Sequence, residues 1–544
     1  MYMSLFLMLL SMMLMMTSII MMYSNTFLIL DISLMNMIMS NITVNMMMDW
    51  ISTLFLTTVF LISSMILMFS VYYIPLNQHK QFLLLMMMFI LSMTILIVSN
   101  NLLLILLGWD GLGLSSYILV VYYQNYLTSS SGSITLLSNR IGDIMIIMSI
   151  SIMMMMMNWN INTSKEFPMI SLMLLMIATC SKSAQFPFSA WLPMAMAAPT
   201  PISALVHSST LVTAGVFLMI RIMNLHPNTM LMLMVLSSLT AIYAGMSANW
   251  EMDLKKIIAL STLSQIAMMM FSVSINAITL AFFHLIIHAL FKSTMFLCAG
   301  IMIHESSYQD MRMMGMNAYN IPLINSIFGL STMALMGIPF MSGFFSKDMI
   351  IEKMMSSKLE CNMSFLMIIS IGMTASYSIR MMMMSNKSTI KSKPMNNNHS
   401  NIHSNISIMI MAPMTIMSGS IMSWMFNSET MMFFPQKYKI MILTMILLGI
   451  MLNFISSFKE KLMMKLNEFS ITMWFTHLIM TSIPPTSFQL MFTYIMNDMH
   501  WQEKYGPQNS FMTLKNMSIM PESTKKSYMM IMIMMLLLPI ITMM

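Results

Sequence analysis

Residues 284–300 read HLIIHALFKSTMFLCAG, and they follow a run, Ile257–Phe283, that holds no Asp, Glu, Lys or Arg. Together the two stretches exceed the ~20 residues needed to cross a ~30 Å hydrocarbon core. Unpaired backbone groups are intolerable in lipid and no two-residue alternation is present, so the segment reads as helix and not as barrel strand. Its titratable side chains, His284, His288 and Lys292, stand at i, i+4 and i+8. At 3.6 residues per turn they drift by about 40° per step and form one polar stripe. An ionisable side chain inside a span costs about 2.5 to 3.5 kcal/mol on insertion scales and usually faces a bundle interior or a water path. Imidazole changes charge near physiological pH, which gives the stripe the makeup of a proton relay. Two alternatives stand beside it. A structurally satisfied histidine pair is one; zinc is the other, although position 285 is Leu and no acidic or Cys ligand adjoins.

The same character extends outward. Gln81–Trp109, Ile202–Ile220, Met230–Trp250 and Tyr528–Met544 are also free of Asp, Glu, Lys and Arg. Of 544 residues 58% are hydrophobic and 8% charged, against roughly 25% charged in a soluble domain, which excludes a soluble enzyme. The expected fold class is an all-α polytopic membrane protein with about fifteen transmembrane helices by the ~20-residue criterion. The net charge of +7 is spread over loops without a basic stripe, so no nucleic-acid partner is expected. Cys180, Cys298 and Cys361 show no CxxC spacing and read as small hydrophobes rather than disulfide, metal or Fe–S ligands. The first Lys or Arg is Lys80, so neither a secretory n-region nor an Arg-rich transit peptide is visible. The 91 methionines stand where Leu or Ile would serve. An AT-rich mitochondrial genome that reads AUA as Met would explain both features.

Few ionisable groups lie inside the other spans. Asp110 sits in Gly108-Trp109-Asp110-Gly111-Leu112-Gly113, near the middle of the otherwise uncharged run Asn101–Tyr123. No strand precedes this GLG and the GxGxxG spacing is absent, so it is no dinucleotide fingerprint; a structural ion pair is the alternative to a functional carboxylate. Lys182 ends an apolar run and is followed by Pro187, Pro193, Pro199 and Pro201, which cannot share one continuous helix. The pattern returns at Gly337-Ile338-Pro339, Gly343 and the pair Lys347-Asp348. Two broken segments with a lysine beside each break point to a transporter built from repeats. His207 opens the helix after the first break, where Ser208, Ser209 and Thr210 can partner it. Arg140 and Asp143 place opposite charges three residues apart, as either a helix anchor or a functional pair. Lys255-Lys256 beside Asp253 and Glu251 reads as a solvated or interfacial cluster. From the residues alone the chain reads as an ion or proton transporter.

Its organisation divides into N-terminal helices (1–79), a core (80–380), C-terminal helices (381–495), an amphipathic segment (496–527) and a terminal anchor (528–544). A basic, Asn-rich stretch, Asn386–Asn405, reads as an extramembrane loop. Residues 497–527 are too polar to span and fit an interfacial segment, which Pro507 and Pro521 would interrupt.

Several stretches resemble the signature segments of the complex I chain 5 family: LLGWDGLGLSSYILVVYYQN, SNRIGD, TCSKSAQFPFSAWLPMAMAAPTPISALVHSSTLVTAG, DLKKIIALSTLSQ, HLIIHALFKSTMFLCAG and IPFMSGFFSKDMI. Related chains 2 and 4 and the multisubunit Na⁺/H⁺ antiporters share the fold. The resemblance implies two inverted five-helix repeats, each with a broken helix, and a lateral segment with a terminal anchor, to which 497–527 and the following span correspond. It implies that Asp110 and Lys182 form the carboxylate and lysine pair of the first half-channel and that His207 links it inward. His284, His288 and Lys292 would continue a central hydrophilic axis, with Lys347 and Asp348 at its exit and Arg140 and Asp143 as supporting charges. Many members carry Glu where Asp110 stands. The resemblance further implies proton translocation across the mitochondrial inner membrane, with chains 4 and 2 and membrane lipids as partners. No metal and no cofactor is expected in this chain; NADH, FMN, Fe–S clusters and ubiquinone belong to partner subunits. A cation/proton antiporter subunit and a purely structural arm are the competing readings.

Overall fold

The computed structural model describes residues 2–36, 41–155, 159–161, 168–225, 230–315, 321–354, 358–386, 402–426, 436–456, 491–497, 506–519, 527, 529–531 and 533–534. The chain forms two compact units, Met1–Trp474 and Phe475–Met544. The first begins with α1 (Tyr2–Ser24), a hairpin of β1 (Leu28–Asn36) and β2 (Asn41–Met48), α2 (Trp50–Tyr73), α3 (His79–Val98), α4 (Leu102–Val120) and α5 (Tyr126–Met155). It continues through α6 (Met169–Lys182), α7 (Leu211–Leu225), α8 (Met230–Trp250), α9 (Leu254–Ser274) and α10 (Ile278–Ser306). α11 (Pro322–Met336), α12 (Ser342–Met354), α13 (Lys358–Ser385), α14 (Ile402–Met425) and α15 (Gln436–Ser456) complete it. The second unit carries α16 (Pro507–Ile519) and a helical stretch at 491–497.

Among the described residues eleven helices are long and apolar enough to cross a membrane, and three shorter apolar helices accompany them. The expected count of about fifteen is not reproduced as such. Two of the three short helices, α6 and α11, are the halves before the chain breaks, which is why a ~20-residue criterion misjudges them. Residues 457–490 of the C-terminal helices, most of the terminal anchor and most of the basic loop lie outside the described residues. Of the interfacial segment, α16 is described, and Pro507 stands at its first position, where the missing N–H costs no hydrogen bond.

The β-hairpin is the one element that sequence reading did not anticipate. β1 and β2 pair antiparallel with Leu28 opposite Met48 and Asp31 opposite Asn45. Leu and Met are strong helix formers, and they conceal the strand pattern. Asn101 ties the hairpin to the start of α4 by donating from Nδ2 to Thr43 O at 2.7 Å.

Burial sorts the helices. α10 packs against α2, α7, α9, α11, α12 and α14, and its apolar stretch is entirely buried, as is that of α9. By contrast only 22% of the apolar stretch of α1 is buried. In lipid the apolar face of a helix has no reason to turn inward, so polar residues choose which helices become central. α10, with its titratable stripe, occupies the middle of the bundle.

Candidate functional site

The first group of charges is assembled by α4, α5 and α6, which pack side by side. Arg140 and Asp143 lie about one turn apart on α5, and Arg140 Nη1 is 3.1 Å from Asp143 Oδ2 and 3.7 Å from Asp110 Oδ1 on α4. Lys182, fully buried at the end of α6, does not pair with a carboxylate directly. Its ammonium donates to Trp109 O at 2.6 Å and stands 4.0 Å from the centroid of the Trp109 ring. A desolvated cation needs such compensation, and the carbonyl and π-face supply it. Asp143 and then Asp110 are the carboxylates whose field reaches Lys182. The structure therefore brings Asp110, Arg140, Asp143 and Lys182 into one cluster, with Arg140 between the carboxylates.

The chain breaks after Lys182. Short turns at Trp191–Met194 and Ala195–Ala197 replace helix until Thr200, as the prolines require. Trp191 bridges inward: its indole N–H donates to Ser181 O at 3.0 Å, and its ring lies 6.1 Å from that of His207. His207 sits in a π-helical turn, Ser203–Thr210. The hydroxyls around it were expected to partner the ring, but they do not. Ser208 donates to Ala204 O, and Ser209 and Thr210 to Leu205 O. The wider turn shifts its carbonyls out of regular α register, and the adjacent hydroxyls satisfy them. Both nitrogens of the buried His207 ring lack a hydrogen-bond partner.

The central stripe lies between α9 and α10. His284, His288 and Lys292 are all fully buried. His284 Nδ1 is 2.8 Å from Ser346 Oγ of α12, and its Nε2 is 3.2 Å from Gln265 Oε1 of α9. The His288 ring lies 6.4 Å from that of His284, and neither of its nitrogens has a hydrogen-bond partner. Lys292 donates to Ser261 Oγ at 2.5 Å. Sequence reasoning missed Ser261 and Gln265, whose spacing of four puts them on one helix face but which stand among other polar residues of α9, including Thr262 and Ser264.

Beyond the stripe, α11 ends at Gly337, whose φ of +80° turns the chain, and α12 begins at Ser342. Lys347 is buried and donates back across this break to Leu335 O at 2.5 Å. Its charge reaches His284, His288 and Lys292. Asp348, the next residue, is half-buried on α12.

Lys255 corrects the sequence reading. It is 4% exposed and donates to Ala198 O in the first break at 3.2 Å, whereas Lys256 pairs with Asp253 at 3.0 Å as expected. Successive residues of a helix face different ways, so one member of a doublet can enter the core while the other meets solvent. In the loop after α10, hydrogen bonds from Arg312 hold the Asp310 carboxyl below its ordinary value. Cys180 and Cys298 are buried free thiols. Among the described residues no cluster of His, Cys, Asp and Glu has the makeup of a metal site.

Comparison with known proteins gives a consistent result. Residues 99–376 match the family described as NADH:quinone oxidoreductase/Mrp antiporter, TM, and residues 377–544 match NADH dehydrogenase subunit 5 C-terminus. NADH-ubiquinone oxidoreductase chain 5 of Aedes aegypti is 40% identical over 88% of this chain and 86% of its own. That of Locusta migratoria is 39% identical over 87% and 86%. Among solved structures, a chain of the Mrp complex from Dietzia sp. shares the fold, with a TM-score of 0.75 at 19% identity over 94% of this chain and 59% of that one. With its buried His and Lys stripe and its two broken segments, this chain belongs to the NADH-ubiquinone oxidoreductase chain 5 family, whose transmembrane fold is that of the Mrp antiporters.

Proposed function

We propose that this chain is a core membrane-arm subunit of respiratory complex I and translocates protons across the mitochondrial inner membrane. Electron transfer from NADH to ubiquinone takes place in other subunits, which carry the NADH site, FMN and Fe–S clusters; chains 4 and 2 are its neighbours in the arm. The observation that carries this reading is the complete burial of His284, His288 and Lys292 in a helix that is itself enclosed by the bundle. Three ionisable groups in a membrane interior are too costly to be retained for packing alone.

In the pathway proposed, a proton reaching Asp110 or Asp143 neutralises part of the acidic field that favours the ammonium of Lys182. That ammonium then releases its proton inward past Trp191 to His207. On the neutral rings of His207 and His288, whose nitrogens are unpartnered, the unprotonated nitrogen can accept a proton while the other nitrogen releases its own. His284, Lys292 and Lys347 continue the row, and Asp348 stands beside its end. Adjacent cations repel, so arrival of a proton at one member favours departure from the next.

The test is Lys292→Met in the intact complex, measuring proton pumping, NADH to ubiquinone electron transfer and assembly. Pumping should fall by about a hundredfold, the low end of what removal of a proton-transfer group costs. Assembly with unchanged pumping would make the stripe structural. The competing reading, a cation/proton antiporter subunit, has the likeness to the Mrp complex in its favour, whereas the match of residues 377–544 to the subunit 5 C-terminus favours complex I.

A further inference from the structure

We propose that a cleft formed by the start of α1, the end of α2 and the start of α3 binds the phosphate group of an anionic phospholipid. The cleft encloses about 350 Å³ and lies far in sequence from the proton pathway. Its chemistry divides in two. Leu67, Val71, Leu76 and Leu83 give it apolar walls, while Lys80 and His79 supply the only ionisable groups in its lining. No acidic side chain lines it, and neither α1 nor α2 carries a charged residue, so a bound anion meets no opposing charge from the two helices that wall it.

Three observations select a lipid. First, the volume falls in the range of pockets that hold small ligands, roughly 300 to 1,000 Å³, and is far larger than a water site. Second, His79 Nε2 is buried at the cleft without a hydrogen-bond partner, so a polar group of the occupant can satisfy it. Third, the cleft sits where one helix begins, the next ends and a third begins, which places it at the end of the bundle, at headgroup level. From there an exposed apolar surface runs along the membrane: Leu5 is 50%, Leu9 68% and Leu84 57% exposed. An anionic phospholipid matches both parts, its phosphate at Lys80 and His79 and its acyl chains along α1 and α3. Lys80 is exposed and long enough to lay its stem on the apolar wall while its ammonium stays at the interface.

The experiment uses the intact complex in phosphatidylcholine nanodiscs doped with phosphatidylglycerol carrying a photoreactive group near the glycerol, followed by peptide mapping. Crosslinks should appear in residues 2–9 and 76–84, and a phosphatidylcholine analogue should label these peptides several-fold less. Lys80→Gln should lower the phosphatidylglycerol signal by about fivefold, the factor that corresponds to roughly 1 kcal/mol for one interfacial lysine, and Lys80→Arg should preserve it. Equal labelling by both lipids, or no effect of Lys80→Gln, would overturn the proposal. So would loss of the signal in excess inorganic phosphate, which would assign the cleft to a free anion, or absence of any crosslink, which would mean that another subunit fills it. The comparison of the two lipids requires no variant and therefore does not depend on how Lys80→Gln folds.

Discussion

The two broken segments contain the same ingredients and use them differently. Lys182 is the last residue of the helix before its break and reaches sideways to Trp109 O on α4, next to Asp110. Lys347 lies about one turn into the helix after its break and reaches back to Leu335 O, across its own interruption. The first lysine thus reports on two carboxylates and an arginine, while the second shares its surroundings with His284, His288 and Lys292, all basic. One end of the proposed pathway is a place where positive and negative charge balance and can be unbalanced by one proton. The other is a row of like charges, in which a proton gained at one point displaces one at another. Repetition of a structural device therefore does not imply repetition of its electrostatics.

The sharpest way to break this comparison is to neutralise each lysine. Lys182→Met should reduce proton pumping by about a hundredfold, in the range for loss of a proton-transfer group, and Lys347→Met by a comparable factor. The two should differ in rescue. Adding Arg140→Gln to Lys182→Met should cost little further, because the residues act in one cluster, whereas adding it to Lys347→Met should compound the loss. Pumping assays on the double variants read the difference, and equal effects in both backgrounds would dissolve the distinction.

Gly343→Ala tests the second break by packing. A Cβ at Gly343 would meet the backbone oxygen of Ala334 at 2.0 Å, and that atom cannot move without moving the helix. Overpacking of this kind costs roughly 1 to 3 kcal/mol and should lower the thermal stability of the subunit in the assembled complex. Pumping should fall as well, since α11 and α12 set the position of Lys347. An unchanged melting profile would show that this contact is not tight.

Arg140→Gln alone should act more mildly. Asp143 would lose its 3.1 Å partner, yet the Arg140 side chain is 43% exposed, so solvent already screens part of the interaction. A loss of pumping of a few-fold, about 1 kcal/mol, is expected.

The smallest effect concerns the loop after α10. Asp310 is held below its ordinary value chiefly by hydrogen bonds from Arg312. A carboxylate depressed in the folded state contributes stability above its unfolded value and loses that contribution as pH falls through the folded value. Melting temperatures should therefore decline less on acidification in Arg312→Gln than in the unaltered protein, with the difference confined to the acidic side of neutrality.

Much of this was written into the sequence because a membrane is a severe solvent. A 29-residue apolar helix carrying His284, His288 and Lys292 can be placed at the bundle centre without coordinates, since the cost of exposing those groups to lipid leaves few alternatives. The prolines after Lys182 likewise announce an interruption. The hairpin at 28–48 was not legible, because Leu and Met favour helix and only pairing between the strands overrules them. Lys255 was hidden by its neighbour, since a charged doublet at a helix end does not say which member turns inward.

The sequence by itself determined that the chain lives in a bilayer, that its helices are interrupted at two places and that a short set of ionisable residues lies inside. These follow from the composition, from the geometry of proline and from the cost of charge in hydrocarbon, none of which depends on which helix meets which. Only the tertiary structure decided the partners. It set Arg140 between Asp110 and Asp143, gave Lys182 to the backbone and ring of Trp109, and matched Ser261 and Gln265 on α9 to Lys292 and His284 on α10. Those choices depend on helix rotation and register between segments distant in the chain, which local patterns do not encode.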